Sequence, residues 1–360
     1  MRIAVDVRNI TSNPTGIGVY VSSLIRELSK IKDLEIHLFG TRDTSFPIGC
    51  NSTQHILPRG ARFHFSAIRK FYRMNFDLYH SPNSGLVAYF LGKRAVLTIH
   101  DLVPVLFPKT ASIGSRAAHL FIRLASNRCG AIISVSESTK RDIEKYWNPP
   151  TKIHAIWSGS DRAISPITNK KTDFSVPEEF FLSVGTLEPR KNLSTLLRGY
   201  FDALDSGVEL PPILVVGADG WRGESSKLSS IASKNPGKVK FLGYLDDESL
   251  FSLYSSCKAL FFPSIYEGAG LPPLEAARLG SAVVCSDIPS LREVFDGAAM
   301  FVQPMDYNEW KRALIELNSD PNLVLSLGKS CQKAAKRLSF SLTAEKTVNV
   351  YHEVLKNKDH

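Results

Sequence analysis

Glu267-Gly-Ala-Gly-Leu-Pro-Pro-Leu-Glu275, following the apolar run ALFFPS (259–264), is the stretch from which the fold can be read. An unbroken apolar run of this kind fits a strand buried on both faces, as in a parallel sheet. Gly268 and Gly270 let the backbone pass close to a ligand. LPPLEAARLG then continues as a helix with Pro272 and Pro273 in its first turn, where a missing N–H does no harm. A helix N-terminus offers unpaired N–H groups and a positive dipole end, a ready site for a diphosphate. Glu267 in the loop and Glu275 within the helix can face different parts of one ligand. The other reading of Glu275 is a helix-capping or solvated acid.

The same alternation extends in both directions. FFLSVGTL, PILVVGA, KVKFLG, KALFFPS, SAVVCSD and AMFVQP are strand candidates, separated by the helical patterns NLSTLLRGYFDAL, DDESLFSLYSSC, LPPLEAARLG and SLREVF. The first half opens with MRIAVDV, the turn-forming TSNPTGIG and the helical VYVSSLIRELSKI, and adds the runs EIHLFG, FDLYHS, RAVLTIHD and GAIISVS. Ser136 or Ser138 can cap the helix after the last of these. Strands alternating with helices predict parallel sheets covered on both faces. The expected fold is α/β, two doubly wound Rossmann-like domains with ligand crevices at the carboxyl ends of the strands. SPITNKKTDFSVPEE reads as the connection, which places the domains at 1–172 and 173–345, with 346–360 as a terminal helix.

Composition agrees. At 360 residues the chain is too long for one ordinary core. With 43% apolar and 22% charged residues, disorder, collagen and a disulfide scaffold are excluded. The five cysteines form no C-x-x-C pair and are odd in number, so no zinc ribbon, metal site or disulfide framework is indicated. No apolar run is long enough to span a membrane, and the opening residues lack a signal-peptide layout, so the expected location is the cytoplasm. Residues 1–150 hold 20 Lys+Arg against 10 Asp+Glu, a balance of +10, and residues 151–360 hold 24 against 25, a balance of −1. A basic first half points to an anionic partner, either nucleic acid or an acidic membrane leaflet.

Four further signals carry chemistry. Gly185-Thr-Leu-Glu-Pro-Arg-Lys-Asn192 stands at a strand end, and Arg190 and Lys191 precede a helix where their charges can converge on phosphate oxygens; the alternative is a solvated Arg-Lys pair. Gly16-Ile-Gly18 can admit a substrate to the backbone or form a plain turn, and with Val at position 21 the full G-x-G-x-x-G spacing of dinucleotide-binding dehydrogenases is absent. His100, at the end of RAVLTI, can donate hydrogen bonds to a polar substrate or be a buried, satisfied histidine; His80 shares that ambiguity. Finally, Arg59–Phe76 mixes five cations, Arg62, Arg69, Lys70 and Arg73 among them, with four Phe and one Tyr. As a helix it can meet anionic headgroups, or it is an ordinary amphipathic helix with its aromatics inward. No nucleic-acid module is visible, so nucleic acid is not an expected partner.

In this order the motifs resemble the glycosyltransferases of family 4. The resemblance covers nearly the whole chain, and GTLEPRKN combined with the E-x7-E of YEGAGLPPLEA is its most specific part. It implies the GT-B fold, two Rossmann-like domains facing an interdomain cleft, with the acceptor on the first, the nucleotide sugar on the second, and a last helix that returns to the first. Arg190 and Lys191 would bind the donor diphosphate in place of a metal, so no cofactor is expected. Glu267 would contact the donor sugar, Glu275 the ribose, and the amides of Ala269, Gly270 and Leu271 the diphosphate and sugar. His100 would hydrogen-bond the sugar, and Gly243 and Tyr244 would lie near the base. The implied activity is retaining transfer of mannose from GDP-mannose onto a saccharide linked to a polyprenyl diphosphate. That places the chain on the cytoplasmic face of the inner membrane, in lipopolysaccharide O-antigen or other surface polysaccharide synthesis. A UDP-sugar transferase, an epimerase or phosphorylase of the same architecture, and a noncatalytic membrane scaffold are the other readings.

Overall fold

The computed structural model describes residues 1–82, 84–108, 112–162, 175–220, 223–233 and 235–357. Two compact units emerge, Met1–Arg162 with Leu338–His360, and Ala163–Arg337.

In the first unit the elements run β1 (Arg2–Asp6), α1 (Gly16–Leu28), β2 (Glu35–Gly40), β3 (Thr53–Ile56), α2 (Ala61–Arg73), β4 (Leu78–Ser81), α3 (Gly85–Leu91), β5 (Ala95–Ile99), α4 (Val103–Leu106), α5 (Ile113–Ser126), β6 (Ala131–Ser134), α6 (Glu137–Tyr146) and β7 (Ile153–Ala155). They form a parallel sheet in the order β3-β2-β1-β4-β5-β6-β7. The central strands are buried throughout, as their apolar runs require. Right-handed crossovers put α1 on one face and α2, α3 and α5 on the other. On that second face Phe63, Ala67 and Phe71 of α2, Val87 and Leu91 of α3 and Ile122 of α5 share one apolar cluster with the strands. Ser136 caps α6 by accepting from the Thr139 amide at 3.0 Å.

The second unit repeats the plan with β8 (Phe181–Val184), α7 (Leu193–Asp205), β9 (Ile213–Val216), α8 (Glu224–Ala232), β10 (Val239–Gly243), α9 (Asp247–Ser256), β11 (Ala259–Phe262), α10 (Leu271–Arg278), β12 (Ala282–Ser286), α11 (Pro289–Phe295), β13 (Met300–Val302), α12 (Tyr307–Ser319) and α13 (Pro321–Ala335). Its sheet, β10-β9-β8-β11-β12-β13, is also parallel. Strand order reverses between β8 and β11, and an open crevice forms at such a switch point.

Every strand candidate of the sequence is present, and β3 and β7 are added. Both lie at sheet edges. β3, with the sequence TQHI, is mostly exposed, and β7 is three residues long, so neither carries an apolar run. The chain returns to the first unit through α14 (Phe340–Lys356), whose start is capped by Ser339 accepting from Leu342 N at 3.1 Å. A boundary at 345–346 would cut this single helix, so the units part at 337–338 instead. The expected boundary at 172–173 lies outside the described residues.

Candidate active site

Strands β8 and β11 are neighbours, and the two loops that leave their carboxyl ends are the motif-bearing ones. Ile265 N donates to the Arg190 carbonyl at 2.9 Å and joins them. Pro189–Lys191 forms a tight 3-10 turn, after which Asn192 takes a left-handed conformation with φ 54° and opens α7. Asn is among the few side chains that tolerate this region. Its buried Nδ2 donates to the carbonyls of Pro263, at 3.1 Å, and Pro304, at 2.7 Å, which fastens the turn to the end of β11. Beneath the turn, a Cβ on Gly217 would stand 2.0 Å from the Gly185 carbonyl oxygen, so the backbones meet there without room for a side chain.

This framework gathers four charged side chains. Lys191 Nζ lies 2.6 Å from Glu267 Oε1, and Arg190 approaches the same oxygen at 3.0 Å. Arg190 also reaches Glu188 at 2.6 Å and donates to the Tyr266 carbonyl at 2.6 Å. The Lys191 ammonium rests 5.2 Å from the centroid of the Phe262 ring. Burial pushes the Glu267 carboxyl up, but Lys191 and Arg190 outweigh it and hold the group below its ordinary value. Burial likewise works against the Lys191 ammonium and lowers its pKa, with Glu267 opposing. The expectation of two cations free for phosphate therefore divides. Both terminal nitrogens of the Arg190 guanidinium hold the loop together, whereas Lys191, with three donors and one carboxylate partner, keeps donors for a ligand.

Gly270 precedes α10 at φ 67°, a conformation that suits glycine, and a Cβ there would come within 2.7 Å of Leu291. Pro272 and Pro273 carry no N–H, and Leu274 N already bonds the Gly270 carbonyl at 3.4 Å. The open donors at this helix start thus reduce to the amides of Ala269, Gly270 and Leu271, none of which has a partner among the described residues. Glu275 is buried, with Tyr254 Oη 3.4 Å from Oε2. It is neither a cap nor a solvated acid. Gly243 ends β10 at φ 67° and accepts from Gly217 N at 2.8 Å, and Tyr244 beyond it is exposed.

The remaining residues singled out in the sequence lie in the first unit. Gly16 opens α1 and is exposed. Gly18 is buried, and a Cβ on it would meet the Asn9 carbonyl oxygen at 2.4 Å, so the loop packs on it. The His80 ring is satisfied on both sides, Nδ1 by Tyr351 Oη at 2.6 Å and Nε2 by Thr98 Oγ1 at 2.8 Å. Burial drives its pKa down to about 3. His100 lies edge-on to Tyr20 with ring centroids 4.8 Å apart, and burial lowers its pKa to about 4 despite Asp101 and a hydrogen bond to the Pro82 carbonyl. Nε2 is buried without a partner, so the bond to Pro82 belongs to Nδ1. A neutral imidazole has one N–H. With that N–H given to Pro82, Nε2 is left as an acceptor that a substrate hydroxyl can use. On α2, Phe63 and Phe71 pack inward, while Phe65 and Tyr72 face outward with Arg62, Arg69 and Arg73; Lys70 is half-buried.

Sequence reading alone did not find Glu188 as the second anchor of Arg190, Asn192 as the clasp between loops, or Tyr351 as the partner of His80. An Asn directly after a Pro-Arg-Lys turn and before a helix is the one signal that was legible. Arg8, with Nη2 2.7 Å from the buried Asp6 Oδ2 and its guanidinium 3.8 Å from the Phe63 ring centroid, forms a further ion pair at the end of β1.

Comparison with known proteins places both units. Residues 14–163 match the model described as Glycosyltransferase Family 4, and residues 165–337 match that of Glycosyl transferases group 1. The O-antigen chain mannosyltransferase B of Escherichia coli is 28% identical over 289 residues, 76% of this chain and 74% of that protein. The serotype-specific mannosyltransferase WbdA of Escherichia coli is 27% identical over 278 residues, 73% of this chain, so the match spans only 34% of WbdA. Among solved structures, sucrose-phosphate synthase from Thermosynechococcus elongatus superposes with a TM-score of 0.80 at 19% identity, over 99% of this chain and 100% of that one. The latter likeness establishes the GT-B fold. With both family models matched in order along its two units, the chain belongs to the family 4 glycosyltransferases.

Proposed function

We propose that this protein is a retaining glycosyltransferase that transfers mannose from GDP-mannose to a saccharide acceptor linked to a polyprenyl diphosphate, in O-antigen or related surface polysaccharide synthesis. The observation that carries the reading is the convergence, on the loops at the β8/β11 switch point and the helix that follows, of Lys191, the three open amides of 269–271, the ion-paired Glu267 and the buried Glu275. Mannose as the sugar and O-antigen as the setting are supported by the likeness to the two E. coli mannosyltransferases.

The chemistry follows from where charge develops. Breaking the bond from sugar to diphosphate builds positive charge on the ring and negative charge on the departing phosphate. Lys191 and the amides of Ala269, Gly270 and Leu271 are preorganised for that phosphate, so they act more strongly in the transition state than in the ground state. Arg190 holds the loop that carries Lys191. The charge that Glu267 offers to Lys191 without ligand becomes available to a sugar hydroxyl once phosphate takes its place. Glu275 accepts from the ribose hydroxyls. His100 Nε2 accepts from a sugar hydroxyl. The leaving phosphate takes the acceptor proton on the same face, which retains configuration without a covalent enzyme intermediate; a double displacement through Glu267 is the less favoured course. The basic first unit meets the anionic membrane surface that carries the acceptor, through Arg62, Arg69, Lys70 and Arg73.

Thermal stabilisation by GDP, UDP, ADP and their sugar conjugates tests the donor. A ligand that binds only the folded state at a hundred times its Kd stabilises it by about 2.7 kcal/mol. The expected result is a selective shift with GDP and GDP-mannose that Lys191→Ala removes. A preference for UDP overturns GDP-mannose and keeps the transferase, and no shift with any nucleotide removes the donor-site assignment.

A further inference from the structure

The helices on one face of the first sheet share a property that no single one of them reveals. α2, α3 and α5 pack side by side, α3 touching both neighbours, and none of the three contains an Asp or Glu. Among the helices, acids resume only in α6, where Glu137, Asp142 and Glu144 are interleaved with Lys140, Arg141 and Lys145; Asp77 and Asp101 lie in the segments between the three. The outer surface of the three is studded with large apolar side chains that a soluble helix would bury. On α2, Phe65 is 75% exposed; on α3, Phe90 is 57% exposed; on α5, Leu120 is 55% and Leu124 41% exposed. Among the described residues, Arg62 and Arg69 of α2 and Arg116 and Arg123 of α5 take part in no ion pair and are exposed. Isolated exposed apolar residues are ordinary, but a contiguous set rimmed by unpaired cations marks an interaction surface.

We infer that the α2–α3–α5 face as a whole docks on an anionic lipid surface, with Leu120 and Leu124 of α5 and Phe65 of α2 entering the headgroup boundary and the arginines meeting phosphates. The chemistry selects this occupant. The exposed rings of Phe65 and Phe90 suit a base as well as a lipid, so the aliphatic tips of Leu120 and Leu124 decide between the two occupants. A run of arginines with no acid complements an anionic surface, and aliphatic tips between them gain only where that surface has an apolar interior. No helix among the described residues is long and apolar enough to cross a membrane, so the contact is one of surface docking. The inference extends the proposed encounter with a lipid-linked acceptor from the single α2 patch to a three-helix platform in which α5 supplies the apolar anchor. Its biological use rests on that reading; the binding itself does not.

The full chain is sedimented with vesicles of phosphatidylcholine alone and of phosphatidylcholine mixed with phosphatidylglycerol, at low and high salt. Binding is expected only to the anionic vesicles, weakening with salt. Arg123→Ala is expected to weaken it roughly fivefold, the factor associated with one cation at an anionic surface. Leu120→Glu with Leu124→Glu is expected to abolish retention while the melting temperature is kept, since both side chains are exposed. Retention that survives both α5 changes but not Arg62→Ala with Arg69→Ala overturns the three-helix platform. Equal binding to neutral vesicles, no binding at all, or concentration-dependent self-association that the α5 changes abolish in place of vesicle binding also overturns it. Nucleotide-induced stabilisation measured on the same variants reports separately on the transferase reading, so either can fail alone.

Discussion

The two units are built on one plan and furnished with opposite chemistry. All nine histidines of the chain belong to the first unit, and the second, from Ala163 to Arg337, has none. At the strand ends of the second unit the side chains are ionic: Glu188, Arg190, Lys191 and Glu267 lock together within 3.0 Å contacts. In the first, His80, Thr98, Tyr351 and His100 form a group of neutral rings and hydroxyls, with the imidazoles held uncharged by burial. Topology thus decides where a site sits but not what it grips. An ionic cluster suits a ligand that brings charge of its own, and a neutral one suits hydroxyls.

The largest expected effect breaks the ionic half of this contrast. Lys191→Ala removes the ammonium that sits on Glu267 with donors to spare, and loss of one such preorganised group lowers kcat by about 10²- to 10³-fold. Arg190 remains on Glu267, so the fold persists. Arg190→Ala is expected to differ, lowering the melting temperature as well as the rate, because it releases Glu188 and the Tyr266 carbonyl together. Rate and melting measurements on the two variants separate the group that faces ligand from the one that holds the loop.

Acid titration sharpens the contrast through stability. Unfolded imidazoles titrate near 6.5. In the fold His100 is depressed to about 4, His55 to about 4 and His80 to about 3, burial being the largest cause in each. Depressed values mean that folding favours the neutral rings, so their contribution is whole above about pH 6.5 and is lost as pH falls from there toward 4. Each pKa unit corresponds to about 1.4 kcal/mol, so the fully buried rings of His80 and His100 alone cost the first unit several kcal/mol over that interval. Glu267, held below its usual value, contributes in the second unit above about pH 4.5 and is lost only below it. Hydrogen exchange followed at decreasing pH is expected to show the first unit loosening well before the second. Simultaneous loosening would remove the histidines as the cause.

Much of this division is legible in the sequence, and the reason is physical. Buried parallel strands must be continuous apolar runs, so β8 and β11 announce themselves, and the glycine and proline punctuation after β11 marks both the loop and the helix start. Pairing across the switch point is another matter. Lys191 and Glu267 are far apart in the chain, and nothing local tells that Arg190 will face inward to Glu188 and Tyr266 instead of outward to a ligand. His80 and Tyr351 meet only because the last helix returns to the first unit, a contact with no periodic signature. Edge strands such as β3, half in solvent, lack the apolar run by which the others are found.

A smaller effect is expected at Glu275, whose buried carboxylate is in reach of Tyr254. Glu275→Gln keeps the shape and removes the charge. A hydrogen bond to a charged acceptor is worth about 1.5–3 kcal/mol, so nucleotide affinity should fall roughly tenfold or somewhat more with kcat nearly kept. Calorimetric titration with GDP and UDP checks it. An unchanged affinity would leave Glu275 with a structural role only.

The smallest effect tests whether the neutral cluster of the first unit is only structural. Tyr351→Phe deletes the hydroxyl 2.6 Å from His80 Nδ1 and leaves that nitrogen buried, with Thr98 still on the other side of the ring. The last helix keeps its other fastenings, Thr343 Oγ1 to the Trp157 carbonyl at 2.7 Å and Lys152 to Glu353 at 2.8 Å. One unpaired buried ring nitrogen costs about 1 kcal/mol, which for a unit of this size lowers the melting temperature by roughly 2–4 °C. Nucleotide-induced stabilisation should be untouched, because the change lies wholly in the unit without the ionic cluster. If transfer slows while melting does not change, the group around His80 acts on substrate through His100, and the contrast between the units becomes one between two parts of a single reaction.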